Sequence, residues 1–276
     1  MLKLRQTLAD IDKQQQVYRI LLNRSRYKLS LEQETWERAA VSYSDGKRVR
    51  DAAQRTMLIK ERQGTLQAFE TVRLNMQASN TPNLTVPEIM DWQKQMLEAT
   101  EPHAVGQFRH GRAYWLLSTM IFSNWEKIPY LMDRLVDGIN KQHVPAFYWE
   151  EKPNKDFQDV SRHPVVNAIE ANYNLVAIHP FQDGNKRTAR LLTAWVLGRN
   201  EYIPLCIHDP ATYVDCIELY NQTRSPHSFY GFLFDEMQTS YDDAIKAVKA
   251  MEKTIVPGSG SKAKTRRSGK PGRSGR

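Results

Sequence analysis

The 276-residue sequence predicts an all-α fold, and three observations support this class. Apolar residues recur at roughly helical intervals on both sides of a short interrupted stretch at 179–184. The first eighty residues show the same helical spacing. Strand patterns are limited to short extended candidates near residues 113–122. We therefore expect a helical core with at most one short extended element.

The region 1–80 is predicted to be helical throughout, with a candidate regulatory role. Its first apolar stripe ends near Asn23. Ser30 is predicted to cap a second helix, because Glu and Gln residues follow it in the first turn. A longer third helix is broken by the sequence Asn-Thr-Pro-Asn at 80–83. Thr85 is then predicted to cap a fourth helix.

Most of the positive charge lies in the C-terminal tail at 257–276. The chain carries a formal net charge of +8, and this tail holds seven Lys or Arg residues and no acid, which leaves +1 for the rest. The tail also consists largely of Gly and Ser, so we expect it to be disordered. It would suit contact with nucleic acid, an anionic membrane or a secretion machinery. A solubilising tail without a partner is the alternative.

Composition excludes several protein classes. Apolar residues make up 41% of the chain and charged residues 25%, as in ordinary globular proteins. No stretch approaches the roughly 18 apolar residues of a membrane span. Cys206 and Cys216 lack the spacing of a zinc site or disulfide framework. The N-terminus lacks the apolar region of a signal peptide, so a cytoplasmic location is expected, with export as an effector left open.

The most chemically concentrated stretch is His-Pro-Phe-Gln-Asp-Gly-Asn-Lys-Arg-Thr-Ala-Arg at 179–190. Pro180 has no N–H to donate and disfavours helical geometry at His179, so a loop is expected there. Gly184 allows backbone angles closed to other residues. A second helix is therefore expected to begin near Asn185, and a helix N-terminus preceded by glycine is an anion site.

Three cations surround that helix start, namely Lys186, Arg187 and Arg190. Cations oppose the helix dipole at this end, and a bound polyphosphate would explain their presence. Asp183 is the only acid of the loop and would hold Mg²⁺ against the phosphates. His179 lies at the other end of the loop and is suited to taking a proton from a hydroxyl. For each residue taken singly, a structural or solvated role is the alternative.

The string resembles the signature of the Fic family, commonly His-x-Phe-x-Asp/Glu-Gly-Asn-Gly-Arg-x-x-Arg. It matches every fixed position except one, because Lys186 stands where most members have Gly. Three further stretches resemble family segments: 104–109, 128–132 and 163–165. Tyr213 and Asn221 fall where the family places nucleoside contacts. The resemblance covers about residues 84–238, and a C-terminal helix is expected at 239–256.

The resemblance implies an all-α core with a β-hairpin flap near 113–122, which binds a target segment by strand addition. It implies transfer of a nucleotidyl group, most often AMP from ATP, to a Ser, Thr or Tyr hydroxyl of a target protein. The implied roles are His179 as general base, Asp183 as Mg²⁺ ligand, Gly184 and Asn185 around the α-phosphate, Arg187 on the β- and γ-phosphates, and Arg190 on the γ-phosphate. Lys186 would lie beside these phosphate contacts.

Lys186 leaves a second activity open. The Doc branch of the family has Asn-Lys-Arg at this place and acts as a protein kinase that binds the nucleotide in reversed orientation. The chain keeps Gly184 and Arg190, which the Doc-like motif lacks. AMP transfer is therefore preferred, followed by a Doc-like kinase or toxin. A non-enzymatic binding module that works through the basic tail is the third hypothesis.

Many family members carry an inhibitory helix with the pattern Ser/Thr-x-x-x-Glu-Gly/Asn, whose glutamate pairs with the second motif arginine. Ser30 and Glu34 fit the first part of this pattern, so Glu34 is the inhibitory candidate for Arg190. Glu70 is a second candidate. A capped helix with surface glutamates explains Glu34 equally well. Inhibition by an antitoxin or a second copy of the chain is the remaining possibility.

Overall fold

A computed structural model describes residues 2–25, 27–41, 52–78, 83–103, 105–114, 120–145 and 160–254 of the chain. These residues form nine α-helices and one 3₁₀ turn at Trp125–Lys127. The helices are α1 (Leu2–Arg24), α2 (Lys28–Val41), α3 (Ala52–Ala78), α4 (Val86–Leu97), α5 (Ile128–Asn140), α6 (Pro164–Ile178), α7 (Asn185–Arg199), α8 (Pro210–Thr223) and α9 (His227–Thr254). The described residues contain no strand, and the all-α prediction is confirmed.

The centre of the fold is the pair α6 and α7, which pack against each other along their length. Every residue of α6 from Val165 to Ile178 is buried, and so is α7 from Thr188 to Leu197. A helix that is covered on all sides must be surrounded by other elements. Helices α3, α4 and α5 supply part of that cover. The loop between α6 and α7 is therefore held between two buried helices.

The N-terminal helices share this hydrophobic core. Helix α1 packs along α9, with Ile11 fully buried and Tyr18 in edge contact with Tyr241 at 6.2 Å between ring centres. Trp36 of α2 meets Phe69 of α3 in a similar edge contact. Helix α3 in turn packs on both α4 and α7. Region 1–80 is thus continuous in packing with the helices that carry the 179–190 loop.

Two helix starts were predicted from capping patterns, and one of the two predictions holds. Thr85 caps α4 as predicted, and a full capping box is present because Glu88 binds the Thr85 backbone in return. The prediction for Ser30 is wrong, since α2 begins at Lys28 and Ser30 lies inside its first turn.

Two predicted segments fall partly or wholly outside the described residues. Of the expected flap at 113–122, residues 115–119 are not described, and the flanking residues carry no strand. The basic tail at 257–276 also lies outside them. Helix α9 runs unbroken across residues 238 and 239, where a domain limit was expected. Among the described helices, none is both long and apolar enough to cross a membrane.

Candidate active site

The loop between α6 and α7 owes its shape to two residues with positive φ. His179 caps the C-terminus of α6 in the left-handed conformation, at φ 52° and ψ 58°, and its N–H donates to the Leu175 carbonyl at 2.9 Å. Gly184 precedes α7 at φ 82°. A Cβ at Gly184 would also lie 2.7 Å from Leu97 Cδ1, so glycine is required there for two reasons. The predicted start of α7 at Asn185 is confirmed.

Side chains inside the loop hold it closed. The Asn185 amide accepts from the Phe181 N–H at 2.9 Å and donates to the Phe181 carbonyl at 2.8 Å. Phe181 itself is fully buried. Asp183 accepts from the Gly184 N–H, and its other carboxylate oxygen lies 3.2 Å from Arg187 Nη2. Asn185 therefore closes the loop through its side chain, and its backbone N–H is one of the donors at the start of α7 that have no partner within the helix.

Gln93 of α4 is a site residue that the sequence reasoning missed. Its amide donates to the Asp183 carbonyl at 3.1 Å and accepts from the Gly106 N–H at 2.7 Å. The side chain is fully buried, and both ends are satisfied. A glutamine among the buried apolar residues Ile89, Trp92 and Met96 was the available signal, because buried amides need partners. Gln93 ties the loop to the 105–114 stretch.

The His179 side chain is buried and electrostatically biased towards its neutral form. Burial, followed by the positive charge of Arg109, lowers the pKa of His179 to about 4. The charge of Lys186 acts in the same direction, while the Val176 carbonyl and Asp183 oppose it. Phe122 stacks on the imidazole with ring centres 3.9 Å apart. At neutral pH the ring is thus an uncharged proton acceptor in a fixed orientation.

A cavity of about 690 Å³ opens over the loop. The predicted site residues that line it are His179, Asp183, Gly184, Asn185, Lys186, Arg187, Arg190 and Tyr213. Further walls come from α3, through Glu61, Arg62 and Thr65, and from the start of α8, through Asp209 and Pro210. Asn221 is buried on α8 and is not among the residues that line the cavity. The volume is in the range of ligand sites in proteins.

The two motif arginines sit differently in this cavity. Arg187 lies 3.1 Å from Glu61 of α3, and only 13% and 15% of the two side chains is exposed. Arg190 is buried, and its Nε donates to the Lys186 carbonyl at 3.1 Å. The Arg190 guanidinium lies over the Tyr213 ring, 5.8 Å from its centre. Tyr213 meanwhile donates its hydroxyl to Asn172 at 2.7 Å, which fixes the ring beneath the arginine.

The structure corrects the predicted inhibitory contact. Glu34 does not meet Arg190 but pairs with Arg38, one turn along α2, and it lines a separate cavity with Cys206. Glu70 pairs with Arg73 on its own helix. The acid of the N-terminal helices that lines the site is Glu61, which pairs with Arg187 of α7. No local sequence pattern marked it.

These features define a class of helical protein with a tight turn at a helix N-terminus, arginines beside that turn and a buried neutral histidine at its rim. Residues 83–197 match the model of the Fic/DOC family. The fold and the relatives below agree with this match and support a Fic family protein with its Fic domain at these residues. The recognition made from the motif is confirmed.

One curated relative and two solved structures show the range of similarity. "Protein adenylyltransferase Fic" of Drosophila erecta is 31% identical over 124 residues, or 45% of this chain and 22% of that protein. The chain thus spans about a fifth of this relative's length. A Fic domain containing signaling protein from Bacteroides thetaiotaomicron has a TM-score of 0.65 at 19% identity, covering 88% of this chain and 98% of the other. IbpAFic2 covalently tethered to Cdc42 has a TM-score of 0.52 at 16% identity, covering 83% and 69%.

Proposed function

We propose that this protein transfers AMP from ATP to a hydroxyl side chain of a target protein. The observation that carries the proposal is the joint placement of a neutral, buried His179 and a helix N-terminus with arginines around one cavity of about 690 Å³. The arrangement supplies a base beside an anion site, and little else is needed for transfer at phosphorus. The name of the Drosophila relative supports the same activity, and the tethering of IbpAFic2 to Cdc42 supports a protein target.

The proposed step balances as an in-line displacement at the α-phosphorus. A Ser, Thr or Tyr hydroxyl of the target gives its proton to His179 as its oxygen bonds to the α-phosphorus. The bond from that phosphorus to the bridging oxygen of the β-phosphate breaks, and pyrophosphate leaves. Gly184 would let the α-phosphate approach the main chain closely, and the Asn185 N–H would stabilise its charge, because the Gly184 N–H already donates to Asp183. Arg187 and Arg190 would stabilise the charge on the leaving group.

Asp183 is the residue that would hold Mg²⁺. Its side chain is half exposed at the cavity edge, and one of its oxygens already faces a cation, the Arg187 guanidinium. Magnesium is commonly bound by one or two carboxylates together with substrate phosphates. Within the described part of the chain there is no cluster of three or more acidic, His or Cys side chains suited to a metal, so a single carboxylate shared with the nucleotide fits. The ion would neutralise phosphate charge as the leaving group departs.

The nucleoside would occupy the part of the cavity near α8. Tyr213 lies in its wall, with Pro210 and Val214 beside it. Asn221 is buried and is not among the residues that line the cavity, so its predicted contact would require the nucleoside to reach deeper along α8. Adenine is proposed from the activity named for the Drosophila relative.

A Doc-like transfer of the γ-phosphate is the second candidate, and Lys186 is the observation that favours it. Its side chain lies in the cavity wall, next to Arg187 and opposite α3. A lysine here adds bulk and charge at the helix start, where a reversed nucleotide would place its terminal phosphate. The retained Gly184 and Arg190 keep AMP transfer ahead.

The two candidates separate in one labelling experiment. The protein is incubated with Mg²⁺ and ATP labelled at either the α- or the γ-phosphate, and label on protein is measured. Label from the α-position alone supports AMP transfer, and label from the γ-position alone supports phosphorylation. His179→Ala should abolish either signal, whereas His103→Ala, a change at an exposed histidine, should leave it intact. Absence of both labels, with other triphosphates also tried, would overturn the proposal.

A further inference from the structure

Arg109 lies outside the 179–190 motif, yet its side chain ends directly beneath it. The residue is 5% exposed. Its guanidinium donates from Nε to the His179 carbonyl at 2.6 Å and from Nη2 to the Ser123 carbonyl at 2.6 Å. A third donation runs from Nη1 to the Gly111 carbonyl. The Arg109 backbone N–H also donates to the Pro180 carbonyl at 2.9 Å.

The surroundings of this cation are unusual for a purely structural residue. Among the described residues no carboxylate forms an ion pair with Arg109, and burial lowers the pKa of its guanidinium. A buried charge without a counter-ion is costly, and an apolar side chain would fill the same space at less cost. What compensates the charge is a set of backbone carbonyls, of which those of His179 and Ile178 lie at the C-terminus of α6, where the helix dipole is negative.

The three carbonyls belong to three different pieces of chain. Gly111 and Ser123 lie on either side of residues 115–119, and His179 follows α6. The Ser123 side has a second link to the site, because the neighbouring Phe122 ring stacks on the His179 imidazole at 3.9 Å. Arg109 therefore joins His179 to the described stretches at Gly111 and Ser123 through one set of hydrogen bonds.

We infer that Arg109 is a positioning residue that holds the His179 main chain against Gly111 and Ser123 and so fixes the place of the imidazole in the cavity. The inference rests on the proposed function, because it takes His179 to be the base that meets the target hydroxyl. A planar guanidinium with donors in three directions is needed for the three carbonyls, and lysine has one compact head group on a flexible stem. A misplacement of about 1 Å can reduce a rate by about a hundredfold.

The charge of Arg109 gives the inference a readout that is independent of transfer. Arg109 is one of the charges that bias His179 towards its neutral form, with Lys186 acting alike and Asp183 acting against them. Arg109→Lys keeps the positive charge but loses the branched guanidinium, whereas Arg109→Gln loses the charge and the guanidinium. Arg109→Lys should lower the transfer rate and leave the pKa of His179 nearly unchanged. Arg109→Gln should change the transfer rate and the pKa of His179.

The test compares Arg109→Lys with Arg112→Lys, a matched change at an exposed arginine of the same stretch. Initial rates give kcat, and titration calorimetry gives the Kd and the stoichiometry of Mg-ATP binding. We expect kcat of Arg109→Lys to fall by about tenfold or more, with nucleotide Kd and stoichiometry within about twofold of the parent. Arg112→Lys should match the parent in every measurement. An unchanged kcat, or a stoichiometry that falls in step with the rate, would overturn the inference.

A double-mutant cycle and an NMR titration complete the test. Phe122→Leu should lower kcat. The double variant with Arg109→Lys should lose less kcat than the product of the two single fold-losses, because both residues act through the His179 ring. Independent, multiplicative effects would count against the inference. The ring signals of His179, followed against pH, should move to higher pKa in Arg109→Gln. This titration does not depend on transfer activity. A parent protein that transfers no label would contradict the proposed function, whereas an unchanged pKa of His179 in Arg109→Gln would contradict the role of Arg109.

Discussion

Glu61 of α3 lies 3.1 Å from Arg187 of α7, with both side chains largely shielded from solvent. The contact joins the N-terminal helices to the helix start proposed to bind triphosphate. A shielded ion pair of this kind is stronger than an exposed one. On the proposed role of Arg187, phosphate oxygens compete with the Glu61 carboxylate for its guanidinium, and the carboxylate repels the incoming anion.

Glu61→Gln is expected to tighten Mg-ATP binding by about tenfold, equivalent to about 1.4 kcal/mol. The amide keeps the shape of the side chain and removes its charge. Nucleotide Kd is measured by calorimetry, and transfer is measured alongside it. Glu34→Gln is the matched control, because its pair with Arg38 lies on a different cavity. Equal affinities in parent and Glu61→Gln would show that the pair does not restrain binding.

The activity of the parent protein should extend to unusually low pH. Burial, then Arg109, lowers the pKa of His179 to about 4, so the base stays neutral at every pH well above that value. We expect kcat/KM, which reports the free enzyme, to be level between about pH 6 and 8 and to fall towards about pH 4. Rates of α-label incorporation provide the profile, and thermal unfolding at each pH confirms an intact fold. An acid limb at the ordinary value near 6.5 would contradict the burial of the imidazole.

Glu170 of α6 should make the fold less stable as pH rises. Burial raises the pKa of this carboxyl to about 7, and Tyr230 donates to it at 2.5 Å. The folded protein thus keeps a proton that the unfolded chain loses above about 4.5. Between these values the folded state binds more protons, so the free energy of unfolding falls with rising pH, by about 3 kcal/mol once pH exceeds 7.

Urea unfolding at pH 5 and pH 8 tests this dependence. Glu170→Gln removes the ionisable group and keeps an acceptor for Tyr230, so its unfolding free energy should lose about 3 kcal/mol less than the parent between the two pH values. Glu252→Gln, at an exposed position of α9, should keep the slope of the parent. If the parent and Glu170→Gln each had the same free energy of unfolding at pH 8 as at pH 5, the Glu170 carboxyl would have to be in contact with solvent.

The sequence revealed those parts of the site that are contiguous. His179, Gly184 and the start of α7 at Asn185 follow from local rules, because proline, glycine and helix ends act over a few residues. The all-α class followed for a similar reason, since apolar spacing is also local. Thr85 as a cap was equally accessible.

Long-range partners were out of reach of such rules. Glu34 fits a capping pattern, but a local pattern does not say which residues a helix face contacts. The structure pairs Glu34 with Arg38. Glu61 and Gln93 reach the loop only because α3 and α4 pack closely, at Gly64. Arg109 was seen as part of a family segment, yet its three carbonyl partners lie on separate stretches. Pairings of this kind depend on the packing of whole helices.

Gly184→Ala should damage the anion site more than it damages the fold. At φ 82° an alanine is strained, and its Cβ would lie 2.7 Å from Leu97 Cδ1. We expect a loss of about 1–3 kcal/mol of unfolding free energy and a loss of nucleotide binding of at least tenfold as the start of α7 shifts. Gly231→Ala in α9 is the matched control, because its Cβ meets nothing within 4 Å and helix propensity should stabilise it by up to about 1 kcal/mol. Thermal unfolding and calorimetry are run on both variants. If Gly184→Ala bound Mg-ATP as the parent does, the glycine turn would not shape the phosphate site.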